Sequence, residues 1–422
     1  MRFFALSLPV TCAGNVGIAR LRFGAALVSG KLTNVSDDSR QLLLLILFRL
    51  MRSIAAGIII LVFPYYVLQS LHYGAFTLGL LYTAATLATA AFALLFGFLT
   101  DLWGRKGTLV LSGILLPVGA FLAFSSGKLP ILFLGTMLGG FSATGSRAAG
   151  SVGGAAQPIQ SAVIADLTTM RNRTFYFSLF TFLSGLLGAA GMLAARLFSP
   201  RDAFLAAAAA SAAGLVFLLP MKLADKRGKL TRMTSGKVIG KFSLTGALNG
   251  ISQGLVMPFL IPFFVIVYHV PKSRMAVYGF ASELVAAFAI LVAPRLERQF
   301  GFVKGVAVTR GVGALLLLLL PLTRIFVLAV VIYMVTPALR VVAVPAQQTA
   351  LTAMVHENEM GRALAMNQVA RLTASSGAVA FTGYMFEASD IALPFYAYAL
   401  VTGVGLALYF KFFGARPELR VE

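Results

Sequence analysis

From Gln41 onward, apolar stretches return along the chain at regular intervals, parted by Gly, Pro and charged residues. Each is long enough for a hydrocarbon core about 30 Å thick, which a helix of roughly 20 apolar residues crosses. The stretches fall at 44–69, 75–99, 107–126, 130–165, 174–198, 202–221, 243–268, 275–294, 305–322, 325–350, 363–386 and 391–413. Some, such as Leu315 to Leu320, are apolar all round and have no polar helical face, so they face lipid or sit deep among neighbours. The pattern predicts an all-α membrane protein with twelve transmembrane helices.

A polar, basic stretch splits the spans six and six. It holds Lys222, Lys226, Arg227, Lys229, Arg232, Lys237 and Lys241 and reads as a linker between two halves. Short sequences recur across it. Pro158-Ile159-Gln160-Ser161-Ala162 in the fourth span is echoed by Pro345-Ala346-Gln347-Gln348-Thr349-Ala350 in the tenth. The segment after the second span, Gly97 to Lys106, is echoed more faintly after the eighth by Pro294 to Gly301. Two six-helix bundles related by pseudo-twofold symmetry follow, and such parallel repeats favour a transporter. The expected division is an N-terminal arm or over-extended start at 1–40, a bundle at 41–221, the linker at 222–242, a second bundle at 243–413 and a tail at 414–422.

Composition narrows the class further. Hydrophobic residues make up 59% of the 422 and charged residues 12%, about half the share of a soluble domain. The net charge of +21 would suggest nucleic acid on a soluble basic face, but the Lys and Arg residues lie between apolar runs. They read instead as orientation signals and contacts to anionic headgroups. With the N-terminus inside, one set of loops carries Arg105, Lys106, Arg171, Arg173, Arg295, Arg298, Lys304 and Arg362 besides the linker. The other set has Lys128, Arg201, Lys272, Arg274 and Arg324. The positive-inside rule then places both termini in the cytoplasm of a cell-membrane protein. Cys12 alone makes no internal disulfide, and Asn34-Val35-Ser36 is a glycosylation sequon on the wrong side.

The loop after the second span reads G-x-L-x-D-x-x-G-R-K through Gly97, Leu99, Asp101, Gly104, Arg105 and Lys106. In physical terms, glycines there permit positive φ and close packing, while Arg105 and Lys106 anchor the loop at the headgroups. With its position between helices two and three, this loop resembles the signature of the major facilitator superfamily of secondary transporters. The resemblance covers everything after about residue 41. It implies that Asp101 meets the start of helix eleven near Gly361-Arg362 as a cytoplasmic latch; the alternative is a simple turn cap. Asp166 and Arg173 resemble the family's acidic and basic pair between helices four and five, and Arg362 belongs to their counterpart. Leu102 stands where the family often has a basic residue. Arg147 resembles an arginine of exporters in helix four, although Ser151 replaces the glycine expected four residues later.

Around Arg147, the run from Gly139 to Gly154 is too rich in glycine for an unbroken helix, since each interior Gly costs up to about 1 kcal/mol. A break is expected there, lining the cavity or packing closely on a neighbour. Ionisable residues at membrane depth are functional candidates by default. Arg49, Arg52 and Arg310 lie near span ends and are expected to snorkel. Arg147, Glu283, Arg340 and Arg371 are harder to place at the interface. Glu283 is the carboxylate well inside a span, so it is either a proton-coupling group or the partner of Arg340 or Arg371. Asn249 and Gln253 share a face of helix seven, and Asn367 and Arg371 a face of helix eleven; the resemblance places both faces on the central cavity.

His72, His269 and His356 are scattered, and there is no nucleotide-binding loop or nucleophile elbow. No enzyme, metal or cofactor is therefore expected. The expected protein is a monomeric secondary transporter working by alternating access on a small-molecule substrate, with protons as the coupling ion and lipids as its surroundings. Efflux of a small amphipathic compound is the first expectation, and uptake or exchange of a small organic anion the second. A transport-dead receptor or lipid scramblase is the reading of another class.

Overall fold

The computed structural model describes residues 37–141, 154–168, 170–223, 236–355 and 360–413. It is helical throughout these, with no strand among the described residues. Twelve spans are laid down in order. α1 is Asp37–Tyr65, and α2 (Ala75–Thr100) and α3 (Leu102–Ser125) share one helical run. α4 consists of Leu129–Gly139 and Gln157–Leu167; α5 is Met170–Ala194 and α6 is Asp202–Val216. α7 is Gly236–Val256 extended by Leu260–Ile266, and the run Lys272–Leu319 holds α8 (Lys272–Val292) and then α9 (305–319). α10 is Phe326–Ala353, α11 Met360–Glu387 and α12 Leu393–Phe413.

The break expected in the fourth span is present. The helix stops at Gly139, and Gly140 turns left-handed at φ 59°, ψ 49°. Arg147 itself lies outside the described residues, as do residues 1–36, the linker core 224–235 and the tail 414–422. Eight described helices are long and apolar enough to cross a membrane. α11 falls short of that measure because Asn367, Gln368, Arg371, Ser375 and Ser376 give it a polar face.

Packing repeats from one half to the other with an offset of six helices. α1 lies against α5 through Gly57 and Gly188, and α7 lies against α11 through Gly246, Gly250 and Gly254. A Cβ at Gly250 would stand 2.0 Å from the Arg371 carbonyl oxygen, so the two backbones touch only because the side chain is absent. Between halves, α2 meets α11 at Gly79 and Gly383, and α5 meets α8 where Met192 covers Gly279. The ends of α1 and α7 repeat as well. His72 (φ 56°) and His269 (φ 48°) are both left-handed, followed by Tyr73 N–H donating to Val67 O and Val270 N–H donating to Phe264 O. Histidine is among the residues that tolerate this conformation.

The end at which α1 begins and α12 finishes, here the terminal end, and the opposite, far end are packed differently. At the far end one apolar core runs through both halves and includes Phe63, Tyr82 and Phe204 together with Phe259, Phe264, Tyr333 and Phe386. Polar contacts cross between halves there. Tyr65 donates to Val270 O at 2.7 Å, Thr83 to Ser376 O at 3.0 Å, the Phe76 N–H to Glu387 Oε2 at 3.2 Å, and Lys272 to Phe198 O. The α5–α8 contact extends to Phe182 and Phe288, whose rings lie 5.6 Å apart. At the terminal end the core divides. One cluster, with Leu45, Phe96, Val163 and Phe180, belongs wholly to the first half; another, with Ile239, Val306, Ala363 and Phe413, belongs wholly to the second. The halves are thus joined at the far end and hold separate cores at the other.

Candidate functional site

The loop between α2 and α3 turns on one residue. Gly104 has φ 76° and ψ 171°, a region open in practice only to glycine. Gly97 differs from expectation: it is helical and exposed, and a Cβ on it would meet no atom within 4 Å. The two cations are not simple headgroup anchors either. Arg105 forms an ion pair with Asp166 and reaches the Ala162 carbonyl at 3.4 Å, tying the loop to α4 of its own half. Lys106 donates to Leu219 O at 2.9 Å at the end of α6. Asp101, Arg173 and Arg362 are placed as positions in α2–α3, α5 and α11, and their side chains lie outside the described residues.

Arg49 and Arg52 depart most from expectation. Each is 4% exposed, so neither snorkels. Arg49 donates to Gln160 Oε1 at 2.9 Å and Ser184 Oγ at 3.1 Å, joining α1, α4 and α5, with its guanidinium 5.2 Å from the Phe180 ring. Arg52 donates to the carbonyls of Ser112 and Gly113 at 3.2 and 3.3 Å. Short polar partners on neighbouring spans satisfy both cations inside the first half, where hydropathy suggested a route to the interface.

The second half holds a polar cluster. Arg340 of α10 donates to Asn249 Oδ1 of α7 and to the Tyr398 hydroxyl of α12, both at 3.2 Å. Arg371 of α11 donates to Gln368. Asn367 lies against Gly246, and its Oδ1 accepts no hydrogen bond among the described residues. Gln253 is buried one turn beyond Asn249. The glycine stripe of α7 sets this arrangement: Gly246, Gly250 and Gly254 face Asn367, Arg371 and Ser375, so two four-residue repeats run in register. Glu283 is 2% exposed in α8, beside Ser282, which donates to the Tyr333 carbonyl of α10.

The structure therefore brings Asn249, Arg340, Asn367 and Arg371 together and adds two residues that sequence reasoning did not select, Arg310 and Tyr398. Arg310 lines a crevice with Asn249, Arg340 and Tyr398, and its guanidinium lies 6.0 Å from the Tyr409 ring. The available signal was its spacing: on a 3.6-residue helix that begins at the terminal end, position 310 lies well inside α9.

Two pseudo-equivalent helical bundles that share a core at one end, with buried polar groups at mid-depth, define the class of polytopic carriers. A family model described as Major Facilitator Superfamily matches residues 45–378, and the chain belongs to that family. It is a multi-pass membrane transporter of small solutes with the twelve-helix fold of the family. Solved structures agree in fold. A bacterial homologue of the human lysosomal transporter Spinster, in an inward-facing and occupied conformation, aligns at TM-score 0.71 with 16% identity, over 92% of this chain and 99% of that one. The xylose transporter of E. coli in a partially occluded inward-open conformation gives 0.68 and 12%, over 92% and 100%. A human organic anion transporter gives 0.67 and 13%, over 89% and 100%. No curated protein sequence matches the chain.

Proposed function

We propose that the protein is a secondary active transporter that moves a small organic anion by alternating access. One observation carries this reading: the second half places Arg310, Arg340 and Arg371 inside three of its spans, and Arg310 and Arg340 line one crevice there. Like charges gathered in a low-dielectric interior are costly unless a counter-charge visits. Against them the same half sets one carboxylate well inside a span, Glu283. An amphipathic cation or neutral drug would gain nothing from such a field, so the anion reading is favoured over efflux of an amphipathic compound.

Arg371 and Asn367, backed by Asn249 and Gln253, take the anionic group of the substrate, and Glu283 carries the coupling proton. Both termini lie in the cytoplasm, so the structure with its far ends joined is the inward-facing state. Asp101 closes onto the start of α11 near Arg362 when the terminal end shuts. The chain works as a monomer with bundles at 41–221 and 243–413.

The test is counterflow in proteoliposomes of the purified protein, comparing labelled monocarboxylates, dicarboxylates and phosphorylated compounds with neutral sugars and cationic dyes. Saturable exchange of an anion that is lost in Arg371→Gln supports the reading. Exchange of the dyes alone returns the assignment to efflux of an amphipathic compound. Binding without flux marks a receptor, and movement of labelled lipid without a gradient marks a scramblase. Glu283→Gln should keep exchange and lose uphill transport driven by a pH gradient; if that uphill flux survives, Glu283 does not carry the proton.

A further inference from the structure

The crevice lined by Arg310 and Arg340 lies among α7, α9, α10 and α12, off the face that carries Arg371. Its lining holds no carboxylate. Three observations give it the chemistry of an anion site. Arg310 and Arg340 both border it. The five N–H groups of Arg310 donate no hydrogen bond among the described residues; its guanidinium lies over the Tyr409 ring, 6.0 Å from the centroid. The Tyr398 hydroxyl, 2% exposed, accepts from Arg340 at 3.2 Å and finds no acceptor for its own proton among the described residues. Other polar groups at the crevice are committed. Ser252 Oγ donates to Leu248 O, Thr402 Oγ1 to Ser252 Oγ, and Thr245 Oγ1 to the carbonyls of Lys241 and Phe242. The proton of the buried Tyr398 hydroxyl, without an acceptor, leaves its desolvation uncompensated.

We propose that this crevice binds a small inorganic anion of chloride size, held between the Arg310 and Arg340 guanidiniums and capped by the Tyr398 hydroxyl. The anion is resident, not cargo. It supplies the negative charge and the acceptors that the crevice lacks, and it fixes α9 and α12 against α10. Arg371, which donates to Gln368 and does not border the crevice, stays available for the transported anion. The two sites therefore answer to different experiments, and this one is read without any transport substrate.

The test is a thermal-unfolding titration of the purified full chain with sodium chloride against sodium gluconate at constant ionic strength. A ligand that prefers the folded state raises apparent stability as RT ln(1 + [L]/Kd). The expected result is a saturable rise in Tm with chloride, matched by bromide and absent with gluconate, a bulky organic anion. Arg310→Gln and Tyr398→Phe, each eluting as the parent does, should lose most of the rise, while Arg371→Gln should keep it. Tyr398→Phe removes one hydroxyl and changes little volume, so it reports on the site even if Arg310→Gln folds poorly. Equal Tm in chloride and gluconate overturns the proposal, as does a full chloride rise in Tyr398→Phe. Loss of anion exchange in liposomes with the chloride effect intact refutes the transport reading and leaves this site standing.

Discussion

A methyl group at Gly79 should shift the balance between the two states of the carrier. Gly79 of α2 faces Gly383 of α11 where the far ends meet, and a Cβ there would stand 2.9 Å from Gly383 Cα and 3.3 Å from the Val379 carbonyl oxygen. Optimal carbon–carbon separation is about 3.5–4.0 Å, so the helices must part by roughly 0.6–1 Å to admit it. Overpacking of this kind costs about 1–3 kcal/mol. The cost falls only on the state in which the far ends touch, so Gly79→Ala should raise the far-end-open population about 5- to 150-fold. Val67, fully buried at that end of α1, provides a reporter. In a Cys12→Ser background, Val67→Cys should react with a polar maleimide at least five times faster when Gly79→Ala is added. Gly403→Ala is the control, since a Cβ at Gly403 would meet no atom within 4 Å and should leave the rate unchanged. Equal alkylation rates in the Gly79 variant and its parent, with Tm unchanged, would refute the claim that the Gly79–Gly383 contact sets the closed state.

Gly104→Ala should lower Tm by the equivalent of about 1–3 kcal/mol, because φ 76°, ψ 171° lies where alanine is strained. Gly107→Ala, whose Cβ would meet Trp103 Cβ at an ordinary 3.7 Å, should not, and matching losses at both sites would remove the backbone explanation. Arg49→Lys should destabilise the first half by about 1.5–3 kcal/mol for each charged hydrogen bond lost, since an ammonium cannot reproduce the guanidinium fork that reaches Gln160 and Ser184 together. Thermal unfolding checks this against exposed Arg274→Lys; if the two variants melt alike, the Arg49 bonds contribute nothing net.

Span number, the six-and-six division and the family were legible because hydrophobic runs and the Gly97–Lys106 motif are local signals. The break near Gly139 could be read from glycine content and helix length together. What failed depended on direction. Hydropathy gives the depth of Arg49, Arg52 and Arg310 but not the helical face they occupy, and snorkelling was the default for any cation near a span end. Arg49 instead finds Gln160 and Ser184, which lie 111 and 135 residues away, beyond the reach of any local pattern. The packing role expected of Gly97 requires a facing helix, and no atom of the described residues comes within 4 Å of a Cβ placed there. The Arg340–Asn249 pair was half legible: both residues were singled out, but their meeting depends on how closely α7 approaches its neighbours.

The division of the apolar interior sets what each cycle must dismantle. Because the clusters around Leu45 and Phe96 and around Ile239 and Phe413 are private to their halves, each half moves as a pre-assembled block whose foundations are never exposed. Under the alternating access proposed above, the shared aromatic seam, from Phe63 and Tyr82 across to Phe259 and Phe386, opens and reseals on every turnover. Damage to the private clusters should therefore show as failed biogenesis, and damage to the seam as a carrier that is made normally but stalls.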